Sequence, residues 1–131
     1  MQVKDLLQNK TPPITARHRD TIESAMRLLI DNKIGSLIVV DADEKPIGII
    51  TERDIFHLAF RYRGDMMDMR VGDFMSENLV LGKPEDDINH IADLISANKI
   101  RHIPILDNGE LTGVVSIRDI VQARAESTLA D

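Results

Sequence analysis

The 131-residue chain has no cysteine and no tryptophan, and aromatic residues make up only 3% of it. The lack of cysteine excludes disulfide bonds, thiolate chemistry and cysteine-ligated zinc. Apolar residues still amount to 43%, so the core must be built from Ile, Leu, Val, Met and Ala. A chain of 14.7 kDa buries roughly two-thirds of its extended surface on folding. That is enough for one compact core, or for two small ones that support each other.

The chain also has no excess of positive charge, no long apolar run and no catalytic motif. It carries 16 basic and 22 acidic residues, a net charge of −6, which argues against duplex nucleic acid or a membrane surface as the partner. The N-terminus lacks the apolar stretch of a signal peptide, and no run reaches the length of a membrane span. We find no nucleophile–base pair, no His-Glu-x-x-His motif and no Walker loop. The sequence therefore predicts a soluble cytoplasmic protein that is not an enzyme.

The chain contains an internal repeat. The octapeptide GIITERDI at 48–55 returns as GVVSIRDI at 113–120. Upstream, TIESAMRLLIDN at 21–32 matches DINHIADLISAN at 87–98, and both place apolar residues at helical spacing. A β-branched run follows each helix, SLIVVD in the first copy and HIPILD in the second. Each copy is therefore predicted to contain a helix, a β-hairpin and a second helix, preceded by a short extended piece at Ile14-Thr15 or at 79–81.

The two copies differ in the turn of the hairpin. The second copy has Asn108-Gly109, the strongest short hairpin signal, where the first has a turn one residue longer at 43–46. A length change confined to a turn is typical of a true structural repeat. A unit of about 50 residues cannot bury its apolar face alone, so the two copies should pack together. The predicted organisation is an N-terminal helix at 1–11, a first repeat at 12–60, a connector at 61–70, a second repeat at 71–126 and a C-terminal tail at 127–131.

Thr51-x-x-Asp54 and Ser116-x-x-Asp119 begin the second helix of each copy, and two interpretations of this motif stay open. A hydroxyl residue followed three positions later by an acid is typical of a helix N-cap with its capping-box partner. The same geometry suits a ligand, because a helix N-terminus offers free N–H groups to a phosphate and the aspartate can accept both hydroxyls of a ribose. The glycine of each octapeptide allows a ligand or backbone to approach closely.

The doubled pattern, SLIVVD…KPIGIITERDI and HIPILDNGELTGVVSIRDI, resembles a tandem pair of CBS domains, the Bateman module, over residues 12–126. The resemblance implies an α/β (α+β) fold. It implies two β-α-β-β-α repeats packed sheet to sheet with pseudo-twofold symmetry. It also implies two clefts that bind adenine nucleotides or related adenosyl ligands: AMP, ADP, ATP, NAD or S-adenosylmethionine. No appended enzyme, channel or transporter segment is present, so the chain resembles a stand-alone module.

The resemblance also implies which residues form the two clefts, each built from both repeats. One cleft would use Thr51, Arg53 and Asp54 with Val80, Arg101, His102, Ile103 and Pro104. The other would use Ser116, Arg118 and Asp119 with Thr15, Gly35, Ser36 and Leu37. There is one departure from the pattern of the family: where the second copy has Pro104 at its strand entry, the first has Ile38.

Several arginine, histidine and methionine residues outside the two motifs allow more than one interpretation. Arg101 and His102 are interpreted either as a solvated arginine with a hydrogen-bonded histidine or as phosphate contacts. The isolated histidines do not predict a metal site. The methionines clustered at 66–75 favour flexible apolar packing at the connector or a dimer contact over metal binding.

The preferred interpretation is a regulatory module that senses adenosyl ligands and signals by a conformational change to a protein partner, whose identity the sequence does not reveal. The alternative is a constitutive dimerisation or interaction scaffold with vestigial clefts. Apolar helices on two tiny units also predict a homodimer, because twofold association covers surface that a monomer would leave exposed.

Overall fold

The computed structural model describes residues 1–130, with only the backbone described for 128–130. The chain divides into two compact units. The first unit is Ile14–Leu79, and the second unit joins Met1–Pro13 to the chain from Val80 onward. Asp131, the last residue of the predicted tail, lies outside the described residues.

The first unit is a three-stranded sheet with two helices. Its elements are β1 (Thr15–Arg17), α2 (Ile22–Asn32), β2 (Ser36–Val40), β3 (Pro46–Thr51) and α3 (Glu52–Tyr62). The central strand β2 pairs parallel with β1 and antiparallel with β3. Two short 3-10 helices follow α3: Arg63–Asp68 lies within the predicted connector, and Val71–Asp73 lies just after it.

The second unit repeats the hairpin and its two helices, with a short helix from the N-terminus added. Its elements are α1 (Val3–Leu7), α4 (Ile88–Asn98), β4 (His102–Asp107), β5 (Glu110–Ser116) and α5 (Ile117–Ala130). Strands β4 and β5 form a two-stranded antiparallel sheet. The turn between them places Asn108 at φ 51° and Gly109 at φ 83°, the left-handed pair that a tight hairpin needs.

The first helix of each copy begins and ends in the same way. A side-chain oxygen caps each start: Thr21 accepts a hydrogen bond from the backbone N–H of Ser24 in α2, and Asp87 accepts one from Asn89 in α4. Both helices then end at a lysine in the left-handed conformation with φ 53°, Lys33 or Lys99. The next residue, an isoleucine in both copies, donates its N–H back to the last turn, which satisfies a carbonyl that would otherwise lack a partner.

Each unit has its own aliphatic core. The core of the first unit consists of the buried residues Ala16, Ile22, Ala25, Leu29, Leu37, Val39, Ile50, Ile55, Leu58, Met66 and Val71. The core of the second unit consists of Val3, Ile91, Ile95, Ile103, Ile105, Val115 and Ile120. In each core, the helix residues recur at helical spacing and the strand residues alternate along their strands, as the sequence patterns predict.

The second copy differs from the first at its initial extended piece. Residues 79–81 form no strand, and the segment makes one isolated parallel bridge, between Gly82 and Ile105. Pro104 explains the difference. Its carbonyl accepts the N–H of Gly82 at 3.0 Å. Because the N–H and C=O of a strand residue point to the same side, the N–H that proline lacks is the one that would extend the ladder. In the first copy Ile38 holds the equivalent position and pairs with Thr15.

We predict that Gly82→Ala destabilises the second unit by about 1–3 kcal/mol, the usual cost of overpacking a core. An added Cβ would lie 2.8 Å from Ile91 Cδ1 and 2.9 Å from Ile105 Cδ1, inside the core. Urea unfolding followed by circular dichroism measures the change. Gly64→Ala is the matched control, because nothing lies within 4 Å of a Cβ there, and it should stay within about 0.5 kcal/mol of the parent. Equal stability of the two variants would contradict the prediction.

Candidate functional site

The first candidate site lies where β3 ends and α3 begins. The Asp54 backbone N–H donates to Thr51 Oγ1 at 3.2 Å, and Asp54 Oδ2 accepts the Thr51 backbone N–H at 2.8 Å. The Thr51 hydroxyl also donates to Asp54 Oδ2 at 3.0 Å. This is a reciprocal capping box, so the capping interpretation of the motif is confirmed here. The carboxylate is held in one position at the positive end of the helix.

The second candidate site has the same arrangement where β5 meets α5. The Asp119 backbone N–H donates to Ser116 Oγ at 3.1 Å, and Asp119 Oδ2 accepts the Ser116 backbone N–H at 2.8 Å. Within the described part of the chain, the hydrogen bonds to both aspartates fall on Oδ2. Oδ1 of each carboxylate therefore retains its lone pairs for another donor.

Each hairpin brings further predicted site residues to its helix start. In the first unit, the first N–H of α3, from Glu52, donates to the Gly35 carbonyl at 3.0 Å, and Ser36 pairs directly with Thr51. In the second unit, Ile117 N–H donates to the Arg101 carbonyl at 2.9 Å, and His102 pairs directly with Ser116. Within each unit, the loop before the hairpin and the helix after it therefore meet at one edge.

The other predicted residues lie at varied depths. Arg53 and Arg118 are exposed on the first turns of α3 and α5, and Val80 is half-buried. Thr15 is half-buried in β1 and pairs with Ile38. Leu37 and Ile103 are fully buried members of the two cores, and Pro104 is buried in β4. Leu37 and Ile103 therefore support the strands from the core side, whereas Pro104, next to Ile103 in β4, points to the opposite face of the sheet.

At the two octapeptide glycines, Gly48 and Gly113, the groups that approach the backbone most closely are side chains of the protein. A Cβ on Gly48 would lie 2.5 Å from Met75 Sδ, and one on Gly113 would lie 2.7 Å from Leu7 Cδ2. Met75 follows the first repeat in sequence, whereas Leu7 lies in the N-terminal segment. These glycines therefore make room for the segments that cover each hairpin.

Lys10 is a site residue that the sequence motifs did not predict. Its Nζ lies 2.8 Å from Asp119 Oδ2 and 2.8 Å from the Val114 carbonyl oxygen, and donates a hydrogen bond to each. The lysine and the aspartate are 109 positions apart in sequence, so no local spacing could indicate the contact. The contact depends on the packing of α1 within the second unit, where the Val3 N–H donates to the Asp86 carbonyl.

Burial and the lysine act in opposite directions on the pKa of Asp119. Burial alone raises it, but hydrogen bonds from Lys10 and from the Ser116 backbone, together with the lysine's charge, lower the pKa below the usual value of an aspartate. The carboxylate is therefore ionised at neutral pH and paired with an ammonium group.

Two further properties concern the described residues as a whole. No helix within residues 1–130 has both the length and the apolar character required to cross a membrane. Across the same residues, no three His, Asp or Glu side chains are grouped so that they could hold a metal ion.

Comparison with known proteins identifies the architecture. Two copies of a hairpin flanked by helices, each with a capped aspartate at the hairpin's end, define a duplicated α+β protein. The profile of the CBS domain family matches residues 3–61 and 71–126, and the chain belongs to this family. A curated relative, the "Uncharacterized 17.7 kDa protein in bps2 3'region" of Acidianus ambivalens, is 38% identical over 79% of this chain and 62% of its own length. The chain spans 52–62% of the length of the first curated relatives that it matches.

Solved structures with high similarity are CBS-domain proteins. One is the CBS-domain containing protein ATU1752 from Agrobacterium tumefaciens, with 32% identity, a TM-score of 0.89 and coverage of 95% of this chain and 99% of that one. The CBS domain pair of protein MJ0100, in complex with 5'-methylthioadenosine and S-adenosyl-L-methionine, has 29% identity, a TM-score of 0.84 and coverage of 97% and 98%. Protein PAE2072 from Pyrobaculum aerophilum, complexed with AMP, has 26% identity, a TM-score of 0.86 and coverage of 95% and 94%.

We predict that Asp119→Asn destabilises the protein more at pH 7 than at pH 3. A lowered folded-state pKa contributes stability above the unfolded value of about 3.9, and that stability is lost as pH falls through the folded-state pKa. The loss at pH 7 should be at most about 1 kcal/mol, because a partly exposed ion pair is screened by solvent. Urea unfolding at pH 7, 5 and 3 tests this. Asp93→Asn, an exposed position on α4, controls for the change in net charge. An Asp119→Asn deficit that is the same at pH 7 and pH 3 would contradict the assignment.

Proposed function

We propose that the chain is a regulatory module that binds adenosyl ligands at the Thr51/Asp54 and Ser116/Asp119 sites. The observation that carries the proposal is the state of the two carboxylates. Each is fixed through Oδ2 by its own helix start, and each keeps Oδ1 for another donor. A ribose diol supplies such donors, and a hydrogen bond to a charged acceptor is worth about 1.5–3 kcal/mol.

Relatives with the same fold support the adenosyl class of ligand. MJ0100 is complexed with 5'-methylthioadenosine and S-adenosyl-L-methionine, and PAE2072 with AMP. These compounds share adenine and ribose but differ in the substituent at the 5' carbon. A site that binds the shared part requires a diol acceptor, which the aspartates supply. The backbone N–H groups of Arg53 and Arg118, together with the side chains of these arginines, offer contacts for a phosphate where the ligand has one.

Regulation through a protein partner completes the proposal. We found no group suited to catalysis in the sequence, so the effect of ligand binding has to be passed on through a surface. The alternative is a constitutive interaction scaffold whose clefts are vestigial. Retention of the hydroxyl residue and the aspartate in both copies favours ligand binding.

Exposed apolar side chains on the helices that follow each hairpin support a homodimer. Two of the three phenylalanines, Phe56 and Phe60, are 75% and 86% exposed and lie one turn apart on α3. Val121, the residue of α5 equivalent to Phe56, is 58% exposed. Large apolar groups in such positions are typical of a surface that another subunit covers, and twofold pairing is the commonest way of covering them.

We predict that Asp54→Ala and Asp119→Ala each weaken binding at one of two adenosyl sites. Loss of a hydrogen-bonded carboxylate should weaken AMP at the altered site by about tenfold to a thousandfold. Isothermal titration calorimetry with AMP, and with its 2',3'-dideoxy analogue on the unaltered protein, measures the change.

The matched control for both variants is Asp87→Ala, because Asp87 caps α4 and lies outside the proposed sites. Each of the three variants should lose about 1 kcal/mol of stability through its cap, but Asp87→Ala should keep full AMP affinity. AMP affinities that are equal in all three variants and the parent would refute the ribose role and leave only the cap.

We predict that the protein sediments at twice 14.7 kDa and that Phe56→Glu together with Phe60→Glu yields the monomer. A carboxylate in an apolar contact has to be desolvated, which opposes association. Sedimentation velocity at micromolar concentration measures the mass. His57→Glu, an exposed residue between the two on α3, is the control and should remain dimeric. A parent protein that sediments only as the 14.7 kDa species would refute the homodimer.

A further inference from the structure

The two candidate sites differ in the side-chain donors to the capped carboxylate. At Asp54 Oδ2, the donor beside the backbone N–H is the Thr51 hydroxyl, a neutral group of the same motif. At Asp119 the Ser116 side chain also contributes a hydrogen bond, and the Lys10 ammonium, a cation from the N-terminal segment, donates to Oδ2 in addition. In each case these donors add to a backbone N–H at 2.8 Å. The motifs are alike in sequence, so Lys10 is the feature that makes the second site chemically distinct.

The ion pair changes what a ligand must do to reach Asp119. The two side chains are 39% and 26% exposed, so the contact is partly shielded from water. A hydroxyl can rotate away from a carboxylate at little cost. An ammonium that leaves a shielded carboxylate loses a charge-assisted bond, and this loss is offset only if it finds another acceptor.

Lys10 has the means to change partners. An ammonium group has three N–H donors, and two of them are used by Asp119 and the Val114 carbonyl. Its flexible four-carbon stem lets the charged group move a few ångströms while the backbone stays in place. A phosphate would give Lys10 an anionic acceptor, whereas an uncharged nucleoside would not.

We propose that Lys10 makes the Asp119 site selective for adenosyl ligands that carry a phosphate over those that do not. A phosphate takes the ammonium from Asp119, and the released carboxylate oxygen becomes available to the ribose. A neutral ligand has to compete with Lys10 for the carboxylate or bind through Oδ1 alone. The inference rests on the proposed function, since it concerns the ligand preference of the same site.

The experiment compares AMP with adenosine by calorimetry on the full chain carrying Asp54→Ala. This substitution weakens the Thr51/Asp54 site, so the titration reports mainly on the Asp119 site. Lys10→Met should weaken AMP and strengthen adenosine, and so reduce the ratio of their affinities by about tenfold or more, equivalent to about 1.4 kcal/mol. Lys4→Met is the control, because Lys4 is an exposed lysine of the same segment, on α1. It makes the same change in net charge and should leave the ratio unaltered. Circular dichroism of each variant verifies that it folds.

The outcomes separate the inference from the proposed function. An unchanged ratio in Lys10→Met, with both ligands still bound, overturns the role of Lys10 and leaves the function intact. Equal gains in affinity for both ligands also overturn it, because they would make Lys10 a simple competitor without selectivity. Absence of binding of either ligand to the unaltered protein would overturn the proposed function, and the inference with it.

Discussion

The reciprocal hydrogen bonds between a hydroxyl residue and the aspartate three positions later fix the geometry on which the rest depends. In both units they set the residue at which the helix begins, and they hold the carboxylate at the end of the hairpin. The same bonds use one carboxylate oxygen and leave the other. The capping that the structure shows is therefore compatible with the proposed ligand binding, since each uses a different oxygen of the carboxylate. A cap that orders its own side chain also removes part of the entropy that a ligand would otherwise lose on ordering it.

Much of this arrangement follows from local sequence patterns. The helices at 22–32 and 88–98 and both hairpins were predicted within a residue or two, because their apolar periodicity, caps and turn residues agree with one another. The capping box was predicted for the same reason. The segment 79–81, predicted to be an extended piece like its counterpart, forms no strand. This difference was not predicted, because the consequence of a proline at 104 depends on which side of the strand the missing N–H faces. The ion pair of Lys10 with Asp119 could not be predicted, since it joins residues 109 positions apart.

The two copies are also completed by different parts of the chain. Met75, downstream of the first repeat, packs over Gly48, whereas Leu7, upstream of both repeats, packs over Gly113. Met75 lies at the start of the second repeat as the sequence defines it, and Leu7 lies ahead of the first repeat. The repeat seen in the sequence is therefore not the unit that folds. A fragment cut at the repeat boundary would lack the segment that shields its hairpin from water, although its own motif would be whole.

This exchange of covering segments has a consequence for the order in which the chain can assemble. The first unit is continuous from residue 14 to 79, so all of its parts have been synthesised before the chain reaches residue 80. The second unit begins with the first thirteen residues of the chain, whose partners around Asp86 and Val114 are made much later. Residues 1–13 are thus made before the first unit but find their partners only after it, and contacts of such long sequence separation are slow to form. Until the chain from Val80 onward has been made, Val3, Leu6 and Leu7 cannot bury their apolar side chains against the rest of the second unit.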